Sequence, residues 1–286
     1  MESIPEMTMA DLIHRYAVLL FDAYGVLVHE SGVLPGAVEC IAELNRIGKD
    51  YYILTNDASK LPASTARYYR QFGLALTPER VITSGSLLTN HFATHGLSGA
   101  RCVVLGPPDS VRYVEQAGGI VVPPDAPFAV LVIGDESGFP FLETVDTAFS
   151  TLCRLLDQQQ PVHLVLPNPD IIYPSSQGFG MASGSVAAMF ETALQARYPH
   201  RRDLRFVRLG KPHAAIYAEA QRRSGTTSMV MIGDQLDTDI CGARTFGLDA
   251  ALISTGVTST IPATTPPDLW PTCRLPALWP INSQTS

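Results

Sequence analysis

Short apolar runs alternate along the chain with stretches of helical periodicity, and this alternation predicts an α/β fold with a largely parallel sheet. One helical pattern, over residues 37–48, places Ile41, Leu44 and Ile47 on one face and ends at Gly48, a typical C-cap. The apolar runs that predict strands cover residues 16–22, 51–54, 101–105, 128–133, 162–166, 205–209, 229–232 and 250–254. The pattern therefore indicates a doubly wound α/β architecture.

The middle third of the chain differs from its two flanks. Its predicted strands are separated by loops rich in Pro and Gly, such as Pro123-Pro124 and Pro167-Asn168-Pro169. We therefore expect residues 1–91 and 205–286 to form one α/β domain and residues 92–204 to form a second domain inserted into it.

The composition and charge of the chain indicate what kind of protein it is and which partners it does not suit. The chain has 286 residues, of which 46% are hydrophobic and 16% charged, enough apolar material for a sizeable core. A net charge of −7 argues against a nucleic acid or a membrane surface as the main partner. Five cysteines without C-x-x-C spacing indicate free thiols in a reducing compartment. No apolar run approaches the ~18 residues of a membrane span, and we expect a soluble cytoplasmic protein.

Polar residues with reactive side chains follow four of the predicted strands. They are Asp22, the pair Thr55-Asn56, Lys211 and Asp234. Because the carboxyl ends of parallel strands meet at one edge of a sheet, these residues are expected to line a common crevice.

The chemistry of these strand ends is that of phosphoryl transfer. Carboxylates that lie close together repel each other, and a cluster of oxygen ligands without His or Cys suits a hard cation such as Mg²⁺. Lys211 supplies a fixed positive charge and Thr55 a hydroxyl group, both suited to phosphoryl oxygens. Asp22 is then the expected nucleophile, with an aspartyl-phosphate as the covalent intermediate.

The same segments resemble the four motifs of the haloacid dehalogenase (HAD) superfamily, in order. The matching segments are Asp22-Ala23-Tyr24-Gly25-Val26-Leu27, Leu54-Thr55-Asn56, Gly210-Lys211-Pro212 and Gly233-Asp234-Gln235-Leu236-Asp237-Thr238-Asp239. Further stretches are similar to NagD-like phosphatases with a large α/β cap: Leu34-Pro35-Gly36-Ala37, Thr55-Asn56-Asp57-Ala58-Ser59, Asn168-Pro169-Asp170 and Ser254-Thr255-Gly256-Val257-Thr258. The resemblance covers about residues 16–260.

The resemblance implies a Rossmann-like core with an inserted α/β cap domain and a Mg²⁺-dependent phosphatase activity. The ion is expected on Asp22, Asp234 and the backbone carbonyl of residue 24, with Asp239 as an orienting partner and Asp237 as the weaker alternative. The implied substrate is a small phosphorylated metabolite such as a sugar phosphate. The resemblance also gives the expectation that two copies pair through the cap.

Cap loops of the family reach toward substrate, which brings further residues into consideration. We expect Asp170 or Tyr173 to touch the leaving group. Asp57, beside the second motif, is also expected near the substrate.

One position departs from the phosphatase pattern. Related phosphatases carry a second Asp two residues after the nucleophile as general acid and base, and this chain has Tyr24 there. A phenol with a pKa near 10 is a poor base at neutral pH, and loss of such a group costs roughly 10²–10⁴ in rate. Asp57 and His29 are the candidate substitutes.

Tyr24 leaves two alternatives to an efficient phosphatase. The haloacid dehalogenases proper share an Asp-x-Tyr-Gly first motif, attack carbon and need no metal. A catalytically weak relative that binds a phosphorylated ligand and regulates another process is the second alternative. Asp234 and Asp239, which suit a metal site, favour the phosphatase.

Overall fold

The computed structural model describes residues 4–29, 32–175, 178–254, 258, 260–262 and 264–280. Within the last predicted motif, residues 255–257 lie outside the described part of the chain. The chain divides into two compact units. The first comprises Met1–Thr55, Pro62–Ile82 and Lys211–Ser286, and the second comprises Asn56–Leu61 and Thr83–Gly210.

Strands and helices alternate through the described residues, as the apolar pattern predicts. The strands are β1 Val18–Asp22, β2 Val28–His29, β3 Gly32–Val33, β4 Asp50–Thr55, β5 Val81–Thr83, β6 Arg101–Leu105, β7 Ile120–Val121, β8 Val130–Ile133, β9 His163–Leu166, β10 Ile172–Ser175, β11 Gly178–Met181, β12 Val207–Arg208, β13 Met229–Gly233, β14 Asp249–Ile253 and β15 Cys273–Leu275. The α-helices are α1 Met9–Arg15, α2 Ala37–Ile47, α3 Pro62–Gln71, α4 Leu88–His95, α5 Pro108–Gln116, α6 Phe141–Asp157, α7 Ser183–Arg197, α8 Ala214–Ser224 and α9 Cys241–Phe246.

The first unit is organised on a six-stranded sheet in the order β15-β14-β13-β1-β4-β5. Strand β1 pairs in parallel with β13 on one side and with β4 on the other, so it lies in the middle of the sheet. All five residues of β1 are buried, which fits a central parallel strand covered on both faces.

One face of β1 packs into the apolar core of this unit. Leu19 and Phe21 point into one apolar cluster, where they meet Ile41 and Leu44 of helix α2. Full burial of each such side chain contributes about 1.5–3 kcal/mol relative to its exposure. Helix α2 ends at Gly48, which has a left-handed backbone (φ +67°) as the sequence predicts for a C-cap.

The second unit has its own parallel sheet, of five strands in the order β12-β9-β8-β6-β7. Helices α6 and α7 contribute Leu152 and Phe190 to an apolar core with Leu131 and Leu164 of the sheet. A two-stranded antiparallel hairpin, β10-β11, belongs to the same unit. The fold is therefore α/β, with a parallel core sheet and a separate parallel α/β sheet, as predicted.

One predicted strand belongs to a different sheet from the one expected. The sequence predicts that residues 205–209 form a strand of the first domain. In the structure this strand, β12, pairs with β9 in the second unit. The chain returns to the first unit only at Lys211. The boundaries predicted at residues 92 and 204 both lie inside the second unit as the structure divides it.

The thiols and the helices bear on the broad class of the protein. All five cysteines are free, and burial raises the pKa of Cys40 to about 12 and those of Cys102 and Cys273 to about 11. Among the described residues, no helix has the length and apolar character needed to cross a lipid bilayer.

Candidate active site

Strand register brings three of the predicted residues to one edge of the first sheet. Asp22, the last residue of β1, lies opposite Leu54 of β4, so Thr55 is one residue further along the neighbouring strand. Phe21 lies opposite Ile232 of β13, so Asp234 follows two residues beyond that pair. The carboxyl ends of three adjacent parallel strands thus supply these side chains, as the strand-end argument predicts.

Lys211 lies between two of the carboxylates. Its Nζ donates hydrogen bonds to Oδ1 of Asp22 at 2.6 Å and to Oδ1 of Asp239 at 2.7 Å. The lysine is 3% exposed, Asp22 is 6% exposed, and Asp239 is fully buried. Charge-assisted hydrogen bonds of this length hold both acids and the ammonium group in fixed positions.

Burial and mutual repulsion dominate the electrostatics of the cluster. Burial, with the nearby Asp239 charge, holds the pKa of Asp22 well above its usual range, although Lys211 opposes the shift. Burial alone would lower the pKa of Lys211, but Asp22 and Asp239 outweigh it and raise that pKa, so the lysine stays charged. The cluster holds more acidic groups than its single lysine can neutralise.

Two glycines allow the carboxylates to approach the backbone. A Cβ atom on Gly25, where φ is +89°, would lie 2.2 Å from Oδ2 of Asp234. A Cβ atom on Gly233 would lie 2.2 Å from Cβ of Asp239. Any larger residue at either position would displace a carboxylate, so these glycines form the cradle that holds the two acids.

The segment after β13 holds Asp239 inward and leaves Asp237 outside. This segment, Leu236–Ile240, is a short π-helix whose start is fixed by a hydrogen bond from the Gln235 N–H to Oδ2 of Asp239 (3.2 Å). The Tyr217 hydroxyl of helix α8 donates to the backbone carbonyl of Thr238 at 3.0 Å. Because Asp237 is exposed, its position is that of a solvated loop acid.

The donor set fits a hard divalent cation. Asp22, Asp234 and Asp239 each offer a carboxylate oxygen, and these oxygens lie within 4.8 Å of one another. All three residues are buried, so their repulsion is poorly screened by water. A divalent ion with oxygen ligands would offset that repulsion, and oxygen-only sites of this kind suit Mg²⁺.

Tyr24 and Thr55 differ sharply in their surroundings. Thr55 is 5% exposed at the end of β4, whereas the Tyr24 side chain is 44% exposed. The backbone of Tyr24 bridges to Val28, and the Gly25 N–H donates to the Val28 carbonyl at 2.9 Å. The turn after Asp22 is therefore fixed through its backbone, and the tyrosine ring does not fill the core.

The remaining predicted residues belong to the second unit, except His29. Asn56 donates from Nδ2 to Oδ1 of Asp170 at 2.9 Å, so these two predicted residues meet. Asp57 accepts two hydrogen bonds from Ser59, from its N–H and its hydroxyl, both at 2.6 Å.

Tyr173 and His29 complete the set. Tyr173 is 43% exposed on strand β10 of the hairpin. His29, the last residue of β2, is exposed.

Two segments of the chain match models of known protein families. Residues 19–119 match the family model of haloacid dehalogenase-like hydrolases, and residues 208–274 match a second model described as HAD-hydrolase-like. Together these segments contain the Asp22, Lys211, Asp234 and Asp239 positions. The chain belongs to the HAD superfamily.

Relatives along almost the whole chain place it among the NagD-like HAD phosphatases. A dihydroxyacetone phosphatase of Corynebacterium glutamicum is 29% identical over 240 residues, which cover 83% of this chain and 81% of that protein. A crystal structure described as a possible sugar phosphatase of the HAD superfamily, from Cytophaga hutchinsonii, is 29% identical, with a TM-score of 0.79 over 96% of this chain and 99% of that chain.

A third relative bears on the metal. The crystal structure of a glycerol phosphate phosphatase from Mycobacterium tuberculosis in complex with magnesium is 25% identical. Its TM-score is 0.79, over 93% of this chain and 77% of that chain. A HAD relative of the same fold thus holds the ion that the carboxylate cluster fits.

Two features of this HAD chain were not predicted from its sequence. Tyr217 lies beneath the carboxylate cluster, and burial together with Asp239 raises its pKa. Three histidines, His91, His95 and His163, gather in the second unit. The spacing of four between His91 and His95 was the only local signal of that group.

Proposed function

We propose that this protein is a Mg²⁺-dependent phosphomonoester hydrolase that uses Asp22 as nucleophile. The observation that carries the proposal is the buried group of Asp22, Asp234 and Asp239 around Lys211 at the carboxyl edge of the sheet. Such an arrangement positions and stabilises a transferring phosphoryl group, which is most of what phosphoryl transfer requires.

Each residue of the cluster has a role in this proposal. Lys211 holds Oδ1 of Asp22 in place and supplies positive charge to the phosphoryl oxygens. Oδ2 of Asp22 attacks phosphorus, and the bond from phosphorus to the ester oxygen breaks. Water then attacks the aspartyl-phosphate, which releases inorganic phosphate and restores the carboxylate, and the proton that this water loses balances the one taken up by the leaving alcohol.

The residues proposed to hold Mg²⁺ are Asp22, Asp234 and the backbone carbonyl of Tyr24, with Asp239 orienting the group through Lys211. When bound, the ion would offset the repulsion between the carboxylates and the incoming phosphoryl group. Thr55, buried at the end of β4, would donate its hydroxyl to a phosphoryl oxygen.

Proton transfer to the leaving group is the step that this chain handles differently. Tyr24 stands where related phosphatases have their second Asp, and its exposed ring is open to ligand and solvent. We propose that the missing carboxylate slows this step. Asp57, which accepts hydrogen bonds from Ser59, and the exposed His29 stay the candidate substitutes.

The proposed substrates are small sugar or polyol phosphates. Support comes from the C. glutamicum and M. tuberculosis relatives, whose names specify dihydroxyacetone and glycerol phosphate respectively. Asn56, Asp170 and Tyr173 of the second unit are the proposed contacts to the substrate beyond its phosphate. Pairing of two copies through the second unit stays a prediction.

Release of inorganic phosphate from 4-nitrophenyl phosphate tests the reaction, with and without Mg²⁺. We expect Mg²⁺-dependent release that Asp22→Asn abolishes and that Asp237→Asn, which alters an exposed acid of the same loop region, leaves unchanged. The same preparations should be offered 2-chloropropionate without metal. Chloride release without phosphate release would show a dehalogenase instead.

A panel of glycerol phosphate, dihydroxyacetone phosphate and hexose phosphates tests the substrate class. We expect the highest kcat/KM among these esters. Binding of one of them without turnover, in protein whose Mg²⁺ site is filled, would favour a regulatory ligand-binding role.

A further inference from the structure

The second unit contains a group of three histidines, whereas the carboxylate cluster belongs to the first unit. His91 and His95 lie one turn apart on helix α4, and His163 is the first residue of strand β9. Each offers a ring nitrogen, and these nitrogens lie within 4.8 Å of one another. His91 is buried, His163 is partly buried, and His95 is exposed, so the group is open to solvent on one side.

The position of His163 separates this group from the proposed substrate contacts of the same unit. Strand β9 runs from His163 to Leu166 toward the turn that carries Asp170. The two ends of this strand, His163 and Leu166, are roughly 10 Å apart at about 3.3 Å per residue, and Asp170 follows four positions after Leu166. The histidines lie at the amino end of the strand and Asp170 lies beyond its carboxyl end.

We propose that His91, His95 and His163 bind one divalent transition-metal cation of the Zn²⁺ type, with an outside ligand such as water completing the coordination. Imidazole nitrogen is the ligand type that Zn²⁺ and its neighbours in the first transition row prefer, whereas Mg²⁺ prefers oxygen. The three rings come from two elements that the fold fixes independently, so the site is held by the backbone of the unit.

The hydrogen bonds within the group support this assignment. Nδ1 of His95 lies 2.9 Å from the backbone carbonyl of His91, and a carbonyl can only accept, so His95 donates from Nδ1. Its lone pair is therefore on Nε2. A metal-binding histidine commonly donates its second ring N–H to a carbonyl in this way, which fixes the ring and its tautomer.

The contact between His91 and His163 fits a site that can open around an ion. Their Nε2 atoms lie 2.8 Å apart, so one of them donates a hydrogen bond to the other. In a tetrahedral zinc site, two nitrogens at about 2.0–2.1 Å from the ion lie roughly 3.4 Å apart. To bind the ion, the two nitrogens need to move apart by only about half an ångström. The ring that donates the hydrogen bond then moves its proton from Nε2 to Nδ1, so neither ring has to lose a proton.

The charge state of the rings is also suitable. Burial, with repulsion from the other two rings, lowers the pKa of His91 to about 4, and burial lowers that of His163. Neutral imidazole is the form that binds metal, and the lowered pKa values favour that form for His91 and His163 at pH 7.

Titration with Co²⁺ and Zn²⁺ in the presence of excess Mg²⁺ tests the proposal, because Mg²⁺ occupies oxygen sites without competing for imidazole. We expect one Co²⁺ per chain, with the intense visible bands of a nitrogen-ligated ion of low coordination number, displaced by Zn²⁺. His95→Ala and His163→Gln should each weaken Zn²⁺ binding by more than about 100-fold, since loss of a mere outer partner costs about 10–100-fold.

His200→Ala is the matched control, since His200 is an exposed histidine of the same unit, distant from the group in sequence. Its Zn²⁺ affinity should equal that of the wild type. Thermal unfolding shows that each variant is folded, and Zn²⁺ should raise the Tm of the wild type and of His200→Ala only. Three results would overturn the proposal: no Zn²⁺ binding, unchanged affinity in either site variant, or complete displacement by Mg²⁺. The readouts do not depend on phosphatase activity.

Discussion

Among single residues, Lys211 and Tyr24 stand in contrast. Lys211 is 3% exposed and makes two short hydrogen bonds to carboxylates, whereas the Tyr24 ring is 44% exposed beside the same site. Lys211 tolerates little change, because removal of one partner of a buried ion pair leaves an uncompensated charge. Tyr24 can be exchanged with little effect on the core, which makes it the better probe of the chemistry.

Replacement of Tyr24 by aspartate should restore the general acid and base of related phosphatases. We expect Tyr24→Asp to raise kcat for phosphate release by about 10²–10⁴, because that is what a positioned acid–base group contributes. Tyr24→Phe is the control, since it keeps the ring and removes the hydroxyl. If Tyr24→Phe is far slower than the wild type and Tyr24→Asp brings no gain, the phenol itself carries the proton.

At the scale of elements, the turn after β1 depends on a glycine that no other residue can replace. Gly25→Ala combines a strained φ of +89° with a Cβ atom 2.2 Å from the Asp234 carboxylate. We expect this variant to lose Mg²⁺ affinity and phosphatase activity, because Asp234 must move. Isothermal titration with Mg²⁺ and phosphate release measure the two losses.

The matched control is Gly48→Ala, at the C-cap of α2. Gly48 also has a left-handed backbone (φ +67°), but, apart from its chain neighbours, no atom of the described residues lies within 4 Å of its added Cβ atom. This variant should lose about 1 kcal/mol of stability through backbone strain and keep its activity. Equal activity losses in the two variants would mean that contact with Asp234 is not the cause.

Helix α7 is tied to the second sheet through Glu191. This buried carboxylate accepts from the Phe206 N–H at 2.9 Å and forms ion pairs with Arg205 and Arg208. Burial alone would raise the pKa of Glu191, but these partners outweigh it and hold the pKa below its usual range. The charged form therefore stabilises the unit above about pH 4.3, the ordinary value for Glu, and this stability is lost as pH falls through the folded pKa.

Glu191→Gln should lower the free energy of unfolding by about 1–3 kcal/mol at pH 7. The difference from the wild type should shrink as pH falls below about 4, because the wild-type carboxylate then becomes neutral too. Urea unfolding at several pH values measures it. The exposed Glu143→Gln is the control and should change stability by less than about 0.5 kcal/mol. A pH-independent difference would assign the effect of Glu191 to packing.

At the scale of the whole molecule, we expect the crowded carboxylates to make the stability of the first unit depend on a bound cation. Mg²⁺ at 100 times its Kd should raise the free energy of unfolding by about 2.7 kcal/mol, since it binds only the folded chain. Asp234→Asn should lose this effect and Asp237→Asn should keep it, as measured by Tm with Mg²⁺ or EDTA. The same Tm gain in both variants would place the ion elsewhere.

Much of the architecture could be predicted from the sequence because its signals are local. The apolar runs before Asp22 and Asp234 are continuous and end at an acid, and parallel pairing alone then brings both acids to one edge. The partner sheet of a short strand is a non-local property, which is why β12 could not be assigned correctly. Helix α6 escaped prediction although Val145, Ala148 and Leu152 recur at helical spacing.

The motifs name the residues of the candidate site, but the contacts between those residues could not be predicted. The motifs name Asp22 and Lys211, but the hydrogen bond that joins them spans 189 positions and depends on the folded backbone. The pairing of His91 with His163 spans 72 positions and has no sequence pattern at all. The exposure of Tyr24 could not be predicted either, because its apolar neighbours Phe21, Ala23 and Val26 are all buried and the local pattern does not set it apart from them.

The shared lysine has a consequence for how this lineage can drift. Lys211 is the ion-pair partner of both Asp22 and Asp239, so mutating the lysine leaves two buried carboxylates without their positive charge. Descendants that lose Lys211 should therefore lose both acids as well, with neutral side chains of similar volume in place of all three. Co-inheritance of these positions in a family tree would mark when catalysis was given up.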